Sequence, residues 1–232
     1  MALSDSGPDK SGAGGMHRKG GKRDTVSEII ALLTQLNQAI KQGGKGLSGK
    51  LRKISTELDS KIPYRDEHSV RVADVCLAVG RRLRLSASEK RALEIAALLH
   101  DFGKVGVEED LLIMERRLSP DERREVEEHV LRGYYILDGF PEIAKALRGL
   151  KEHHEHWDGR GYPEGLRGEA ICIQARVIAV VDAFDAMVTD RPYRKKLSRQ
   201  EALYRIRESA GRHFDPRVVE SFVKLAERGE IQ

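Results

Sequence analysis

The sequence predicts an all-α fold, and its composition, its apolar spacing and its helix-start signals each support this. Aromatic residues make up only 5% of the 232 residues. The core must therefore consist mainly of Leu, Ile, Val and Ala, a mixture that suits helices better than strands. Apolar residues recur at steps of three and four along most of the chain, which is the period of one helix face. We expect one bundle of helices, preceded by a short helical extension.

The first sixty residues divide into a tail and this extension. Residues 1–24 are rich in Gly, Ser and Lys and almost devoid of large apolar side chains. Such a segment cannot bury enough surface to offset its ordering entropy, so we expect a disordered tail. Residues 25–60 then carry two apolar stripes, Ile29-Leu33-Leu36-Ile40 and Leu47-Leu51-Ile54-Leu58, separated by Gly43, Gly44 and Gly46. The partner of these stripes is either the rest of the chain or an outside surface, namely an upstream domain or the same segment of a second subunit in a homodimer.

Residues 61–232 are predicted to form the main domain of the chain. Its helices are expected at approximately 67–84, 88–100, 120–138, 141–153, 172–188, 199–210 and 216–228. Three of them begin with capping signals: Ser119-Pro120, the Ser198/Glu201 pair of a capping box, and Asp215-Pro216. The β-branched stretch 171–181 continues at helical spacing through Phe184 and Ala186, which favours a helix over a strand. The Gly-rich connections 101–107 and 155–170 are predicted to carry the chemistry.

Charge and composition exclude several classes of protein. The formal net charge is +4, and part of it lies in the first two dozen residues. A dense basic stripe with interleaved aromatic residues is missing from the sequence, which argues against binding of a nucleic-acid polymer. No apolar run approaches the ~20 residues of a membrane span. Cys76 and Cys172 lie in apolar segments, as expected of buried free cysteines in a reducing compartment. These observations predict a cytoplasmic protein that does not enter the membrane.

Histidines and aspartates on separate predicted helices form a candidate metal site. His100-Asp101 ends one apolar helix, and Asp182 lies within another, where an unpaired carboxylate is costly to bury. The other members are His68, His129, His153 and His154. Imidazole and carboxylate ligands without a thiolate favour Fe or Mn over structural zinc. Asp101, next to a ligand histidine, is a natural bridge between two ions ~3.5–4 Å apart.

With these residues in view, the sequence resembles the HD-GYP family of HD-domain phosphodiesterases over residues 61–225. The GYP-containing string is highly specific, because it follows an HD pair and precedes a DxxDA segment. The matching strings are His68-Ser69-Val70-Arg71-Val72-Ala73, Leu98-Leu99-His100-Asp101-Phe102-Gly103-Lys104, Glu128-His129, His153-His154-Glu155-His156-Trp157-Asp158-Gly159-Arg160-Gly161-Tyr162-Pro163, Asp182-Ala183-Phe184-Asp185-Ala186, Asp190-Arg191-Pro192-Tyr193-Arg194 and Phe214-Asp215-Pro216.

The resemblance implies an HD-domain helical bundle with two divalent metal ions. His68, His100, Asp101 and Asp182 would hold one ion. His129, His153 and His154 would hold the other, with Asp101 as the bridge. Lys104 matches the family's lysine three positions past the HD aspartate, and Arg191 matches its phosphate-contacting arginine. Arg194 stands where the family often has Lys, an exchange that keeps the charge but alters its geometry.

One departure from the family bears on the number of metal ions. Family members with a third ion carry Glu four residues before the first ligand histidine, and that position here is Tyr64. An acidic residue one or two positions away from 64 would not replace this glutamate, because on a helix it would point to a different face. We therefore expect two ions rather than three. The resemblance links full hydrolysis to GMP with the third ion, so the end product stays open between linear pGpG and GMP.

The implied activity is hydrolysis of cyclic di-GMP by a metal-bridging hydroxide, with Asp101 and Lys104 as catalytic residues and Lys104, Arg191 and Arg194 as substrate contacts. Glu155 and Asp158 either orient ligand imidazoles or cap the adjacent loop. That loop is also a candidate docking surface for diguanylate cyclase domains. Two alternatives stay open: a module that binds cyclic di-GMP or docks partners without turnover, and an HD phosphohydrolase of another cyclic dinucleotide. A pure receptor has no need of the complete ligand set, which disfavours the first.

Overall fold

The computed structural model describes residues 25–41, 46–61, 67–114, 116–190 and 195–231. The predicted tail lies outside these ranges, as do three positions singled out above: Tyr64, Arg191 and Arg194.

The described residues form an all-α structure, as predicted. The helices are α1 Thr25–Lys41, α2 Leu47–Lys61, α3 His68–Arg82, α4 Ala87–Leu99, α5 Glu109–Leu112, α6 Pro120–Glu127, α7 His129–Leu137, α8 Ala144–Lys151, α9 Ile173–Val188, α10 Arg199–Glu208 and α11 Pro216–Glu227. Short 3-10 helices occupy Phe102–Gly106, Pro141–Ile143 and Gly168–Ala170. Among the described residues, β-structure is limited to the isolated bridges Asp158–Arg167 and Ala210–Phe214.

The predicted caps start helices at the expected residues. Ser119 accepts a hydrogen bond from the Glu122 backbone N–H and forms a complete capping box before α6. Asp215 caps α11 by accepting from the Arg217 N–H. Ser198 accepts from the Glu201 N–H, but the Glu201 carboxylate pairs with Arg205 at 2.8 Å. The predicted capping box at α10 is therefore only half formed.

The predicted helix 120–138 is wrong in one respect, because it is interrupted at Glu128. None of the residues of α6 is buried, whereas α7 buries His129, Val130, Gly133 and Leu137. The two halves thus have different surroundings: α6 runs along the surface, and α7 packs against the 3-10 helix Phe102–Gly106. The break lets α7 start at the residue that turns inward, His129.

The helical extension packs against the rest of its own chain. Leu36, Leu51 and Leu58 are almost completely buried and share one apolar cluster with residues of α3, α4, α9 and α11. Leu32 is also fully buried, whereas Leu33, which the spacing placed in the stripe, is only partly so. The described side chains of both stripes are therefore packed within one chain. A homodimer formed through the extension, and the domain boundary at 60/61, stay predictions.

The structure also bears on the predictions about the two cysteines and about membrane spans. Cys76 is fully buried and Cys172 partly buried, and both are free thiols. Of the helices that the structure describes, none combines the length and apolarity needed to cross a bilayer.

Candidate metal centre

The fold gathers the predicted ligand residues from five elements. His68 is the first residue of α3, His100 and Asp101 follow α4, and His129 is the first residue of α7. His153 and His154 follow α8, and Asp182 lies in α9. The side chains form two groups, and within each group every residue offers one ligand atom that lies within 4.8 Å of the others. The first group is His68, His100 and Asp101, and the second is His129, His153 and His154. Asp182 adjoins the first group, with its Oδ1 3.2 Å from His68 Nε2. These are the two sets that the resemblance implied.

Asp101 lies between the two groups. Its Oδ2 is 3.4 Å from His100 Nε2, and its Oδ1 is 3.4 Å from His129 Nε2. The carboxylate is 1% exposed. Each of its oxygens therefore faces a different set of imidazoles, which is the geometry required of a bridging ligand.

Hydrogen bonds to backbone carbonyls orient three of the imidazoles. The Nδ1 atoms of His100, His129 and His153 lie 2.7, 2.7 and 2.6 Å from the carbonyl oxygens of Ala97, Val126 and Leu150. A carbonyl only accepts, so each Nδ1 carries the proton and each Nε2 keeps its lone pair. The buried Nε2 of His100 makes no hydrogen bond to any residue in the described ranges. A lone pair held in this way suits a metal ligand.

His68 is oriented by a carboxylate instead. Its Nδ1 lies 2.7 Å from Asp185 Oδ2, and Arg71 Nε donates to Asp185 Oδ1 at 2.9 Å. Burial raises the pKa of Asp185, but the hydrogen bonds from His68 and Arg71 outweigh burial and lower that pKa overall. Asp185 is therefore ionised. Asp185 is a functional residue that sequence reasoning missed, although its spacing of three from Asp182 places both on one helix face.

Burial keeps the imidazoles of His100 and His154 neutral. It lowers the pKa of His100 well below the ordinary value, and the neighbouring His153 lowers it further. His154 behaves in the same way, through burial and then through His153 and His129. Neutral imidazole is the form that binds a metal ion.

Of the cationic residues predicted to be catalytic or substrate-binding, only Lys104 lies within the described ranges. Its Nζ lies 2.6 Å from Asp101 Oδ1, and the residue is 9% exposed. The 3-10 helix Phe102–Gly106 places it there, directly after the HD pair. Arg191 and Arg194, the other two predicted substrate contacts, lie outside the described residues.

Glu155 and Asp158 contact backbone groups of the connection 155–170 (the GYP loop) rather than the imidazoles. The buried Glu155 carboxylate accepts from the backbone N–H groups of Glu164 at 2.7 Å and Leu166 at 3.0 Å. Asp158 accepts from the Arg160 N–H at 3.1 Å. Of the two roles predicted for them, the described contacts show loop capping.

Gly161 and Tyr162 bring the same loop against the candidate ligands. A Cβ on Gly161 would lie 2.2 Å from the His156 nitrogen and 2.5 Å from the His154 carbonyl oxygen, so only glycine fits. The Tyr162 ring stacks on the His154 imidazole with centroids 4.9 Å apart. The loop therefore forms one wall of the centre.

The chain is similar to known proteins in sequence and in fold. The model of the HD domain family matches residues 52–218. The cyclic di-GMP phosphodiesterase response regulator RpfG of Xanthomonas campestris is 35% identical over 83% of this chain and 55% of its own length. A cyclic di-GMP phosphodiesterase of Pseudomonas aeruginosa is 40% identical over 69% of this chain and 39% of its own. This chain thus spans about half or less of these relatives.

A solved structure shares the fold as well. A crystal structure of a cyclic GMP-AMP specific phosphodiesterase of V. cholerae superposes with a TM-score of 0.62 at 25% identity. The match covers 79% of this chain and 49% of that one.

Proposed function

The chain belongs to the HD domain family and to its HD-GYP branch, and on this basis we propose that it is a metal-dependent phosphodiesterase that hydrolyses cyclic di-GMP to linear pGpG. The observation that carries the proposal is the position of Asp101. Its two oxygens face two separate sets of buried imidazoles. This arrangement suits a pair of ions that share one carboxylate.

The proposed ligand sets follow the two groups of side chains. His68, His100, Asp101 and Asp182 would hold one ion, and His129, His153 and His154 the other, with Asp101 shared. Nitrogen and carboxylate donors without a thiolate favour Fe or Mn. The chemistry that such a pair supplies when bound is acidification of water and neutralisation of phosphate charge.

The chain's own residues would position the substrate and exclude water. Lys104 places a buried ammonium group beside Asp101, where it can offset negative charge that develops on the phosphate. Hydrogen bonds to carbonyl groups and to Asp185 keep the imidazoles of His68, His100, His129 and His153 in fixed orientations, so little reorganisation is needed during the reaction. Arg191 and Arg194 are proposed as further phosphate contacts on the strength of the motif alone.

The choice of cyclic di-GMP follows the names of the two relatives described above. A second candidate, hydrolysis of a hybrid cyclic dinucleotide, is favoured by the likeness to a cyclic GMP-AMP specific enzyme. Both candidates use the same centre and differ only in how the bases are recognised. Docking of a diguanylate cyclase domain on the GYP loop and a homodimer through the N-terminal helices stay proposals.

Turnover by metal-loaded protein tests the function. Protein loaded anaerobically with Fe(II) or Mn(II) is given cyclic di-GMP, products are separated by chromatography, and metal content is measured in parallel. We expect wild type to release pGpG, and Asp101→Ala to lose both turnover and bound metal. The control is Asp138→Ala, which removes an exposed carboxylate at the end of α7. Cyclic di-GMP that binds without turnover in either metal would move the assignment to a receptor.

A further inference from the structure

A cavity of 370 Å³ lies beside the candidate metal centre, between α6 and the GYP loop. Its volume falls in the range of roughly 300–1,000 Å³ that small-molecule sites occupy. The function proposed above leaves most of its lining residues without a role. They are Arg117, Leu118, Arg123, Val126, Glu127 and Tyr162.

Two lining residues connect the cavity directly to the candidate ligands. Tyr162 stacks on His154 at 4.9 Å between ring centroids. Val126 accepts a hydrogen bond from His129 Nδ1 through its carbonyl at 2.7 Å. A molecule whose phosphate lies at the metal centre can therefore place an attached group in the cavity.

Three charged side chains line the cavity: Arg117, Arg123 and Glu127. Within the described ranges, none of the three side chains makes a hydrogen bond or an ion pair. Their neighbours do: Arg116 pairs with Glu122 at 2.6 Å, and Arg124 pairs with Asp121. The three charges that face the cavity are thus available for a ligand, whereas Arg116 and Arg124 next to them are paired within the protein.

The chemistry of these groups matches one purine better than the other. Guanine presents N–H donors at N1 and N2 and acceptors at O6 and N7. A carboxylate can accept both donors, and a guanidinium can donate to both acceptors. Adenine has an acceptor at N1 and a donor at N6, so a carboxylate opposite N1 would face a lone pair.

We propose that this cavity binds one guanine base of the cyclic dinucleotide, with Glu127 accepting from N1–H and the N2 amino group and with Arg117 and Arg123 donating to O6 and N7. This inference rests on the proposed function and adds base specificity to it. Tyr162 forms the wall between the base and the candidate ligands.

Substrate comparison tests the proposal. Values of kcat/KM are measured for cyclic di-GMP, cyclic di-AMP and bis(p-nitrophenyl) phosphate, a diester without a base. For Glu127→Gln we expect the loss on cyclic di-GMP to exceed the loss on bis(p-nitrophenyl) phosphate by about 10- to 100-fold, the discrimination of one bidentate base contact. The preference for cyclic di-GMP over cyclic di-AMP should fall by a similar factor. The matched control is Glu125→Gln on the same helix, which does not line the cavity.

Equal losses on all three substrates, or an unchanged preference between the two dinucleotides, would overturn the guanine site. A wild-type protein that hydrolyses none of them contradicts the proposed function instead. Calorimetric binding of cyclic di-GMP and cyclic di-AMP to wild type and Glu127→Gln then decides the guanine site without turnover. Binding of cyclic di-GMP that Glu127→Gln weakens supports the site, and binding that it leaves unchanged rejects it.

Discussion

At the scale of single residues, the candidate centre depends on what holds each imidazole. Three of them use backbone carbonyl groups three residues earlier in the chain, which no side-chain substitution removes. His68 instead depends on Asp185, 117 positions away, whose Oδ2 accepts from both His68 and Arg71. Of these four imidazoles, His68 is therefore the one whose orienting hydrogen bond a single substitution removes.

Asp185→Asn is expected to weaken metal binding by about 10-fold or more, the usual effect of losing a partner that orients a ligand. The amide replaces one acceptor with a donor, so it cannot serve His68 and Arg71 together. Calorimetric titration of metal-free protein with Mn(II) measures the effect. The control is Asp74→Asn on α3, which alters the ion pair of Asp74 with Arg52 of α2. Equal affinities in the two variants would show that Asp185 has no orienting role.

At the scale of elements, α2 supports the helices that carry the ligand candidates. Asp59 is fully buried, and its carboxylate accepts from the Ser69 N–H at 2.7 Å and from the Ser69 hydroxyl at 2.9 Å. Glu67, at the N-cap of α3, makes no side-chain cap. Ser55 donates to the Leu98 carbonyl at 2.7 Å. An outside helix thus caps α3 next to His68 and contacts α4 just before His100.

Asp59→Ala is expected to lower the free energy of unfolding by about 1–3 kcal/mol, because it leaves the buried Ser69 N–H without its acceptor. Asp59→Asn should recover most of this, since its amide oxygen can accept the same bond. Urea denaturation of metal-free protein measures both variants. Similar destabilisation by the two substitutions would show that the carboxylate charge, rather than the cap, is what matters.

A second contact between elements needs glycine. A Cβ atom on Gly103 would lie 1.9 Å from the backbone carbonyl oxygen of His129 and 2.6 Å from the backbone nitrogen of Gly133. Only glycine lets the 3-10 helix that carries Lys104 approach α7 this closely.

Gly103→Ala should therefore lower the free energy of unfolding by about 2–4 kcal/mol, because backbone atoms must move apart. Gly106→Ala in the same 3-10 helix is the control, since the nearest atom to its Cβ is a flexible Arg132 side-chain carbon at 3.6 Å. Thermal melts of both variants compare the two positions. A Gly103→Ala protein as stable as the control would contradict the close approach.

At the scale of the whole molecule, one apolar cluster joins the N-terminal helices to the metal-bearing bundle. Leu36 of α1, Leu98 of α4 and Phe222 of α11 all belong to it. Elements that share a core are expected to unfold together. The extension is therefore a structural part of the domain, although the family model starts only at residue 52.

A single unfolding transition is the expected result. Trp157, the one tryptophan of the chain, lies in the GYP-loop region, whereas far-UV circular dichroism reports all helices. Both signals should follow the same denaturation curve in metal-free protein, and Leu36→Ala should shift both to lower urea by an equal amount. Loss of helical signal before the tryptophan signal changes would mean that the extension unfolds separately.

The sequence by itself determined the helical class, the capped helix starts and the identity of the ligand candidates. Helical periodicity and caps are local, since they depend on residues three or four apart. The strings around His100-Asp101 and Tyr162-Pro163 are specific enough to identify the family without coordinates.

Only the tertiary structure decided several other features: the break at Glu128, the burial of Leu32 rather than Leu33, the loop-capping role of Glu155 and the pairing of Asp185 with His68. Each depends on atoms brought from distant parts of the chain. Neither the periodicity of one segment nor the chemistry of one side chain reveals which neighbour it will meet. The same reason applies to the cavity beside the centre, because its Arg117, Glu127 and Tyr162 come together only when α6 packs near the GYP loop.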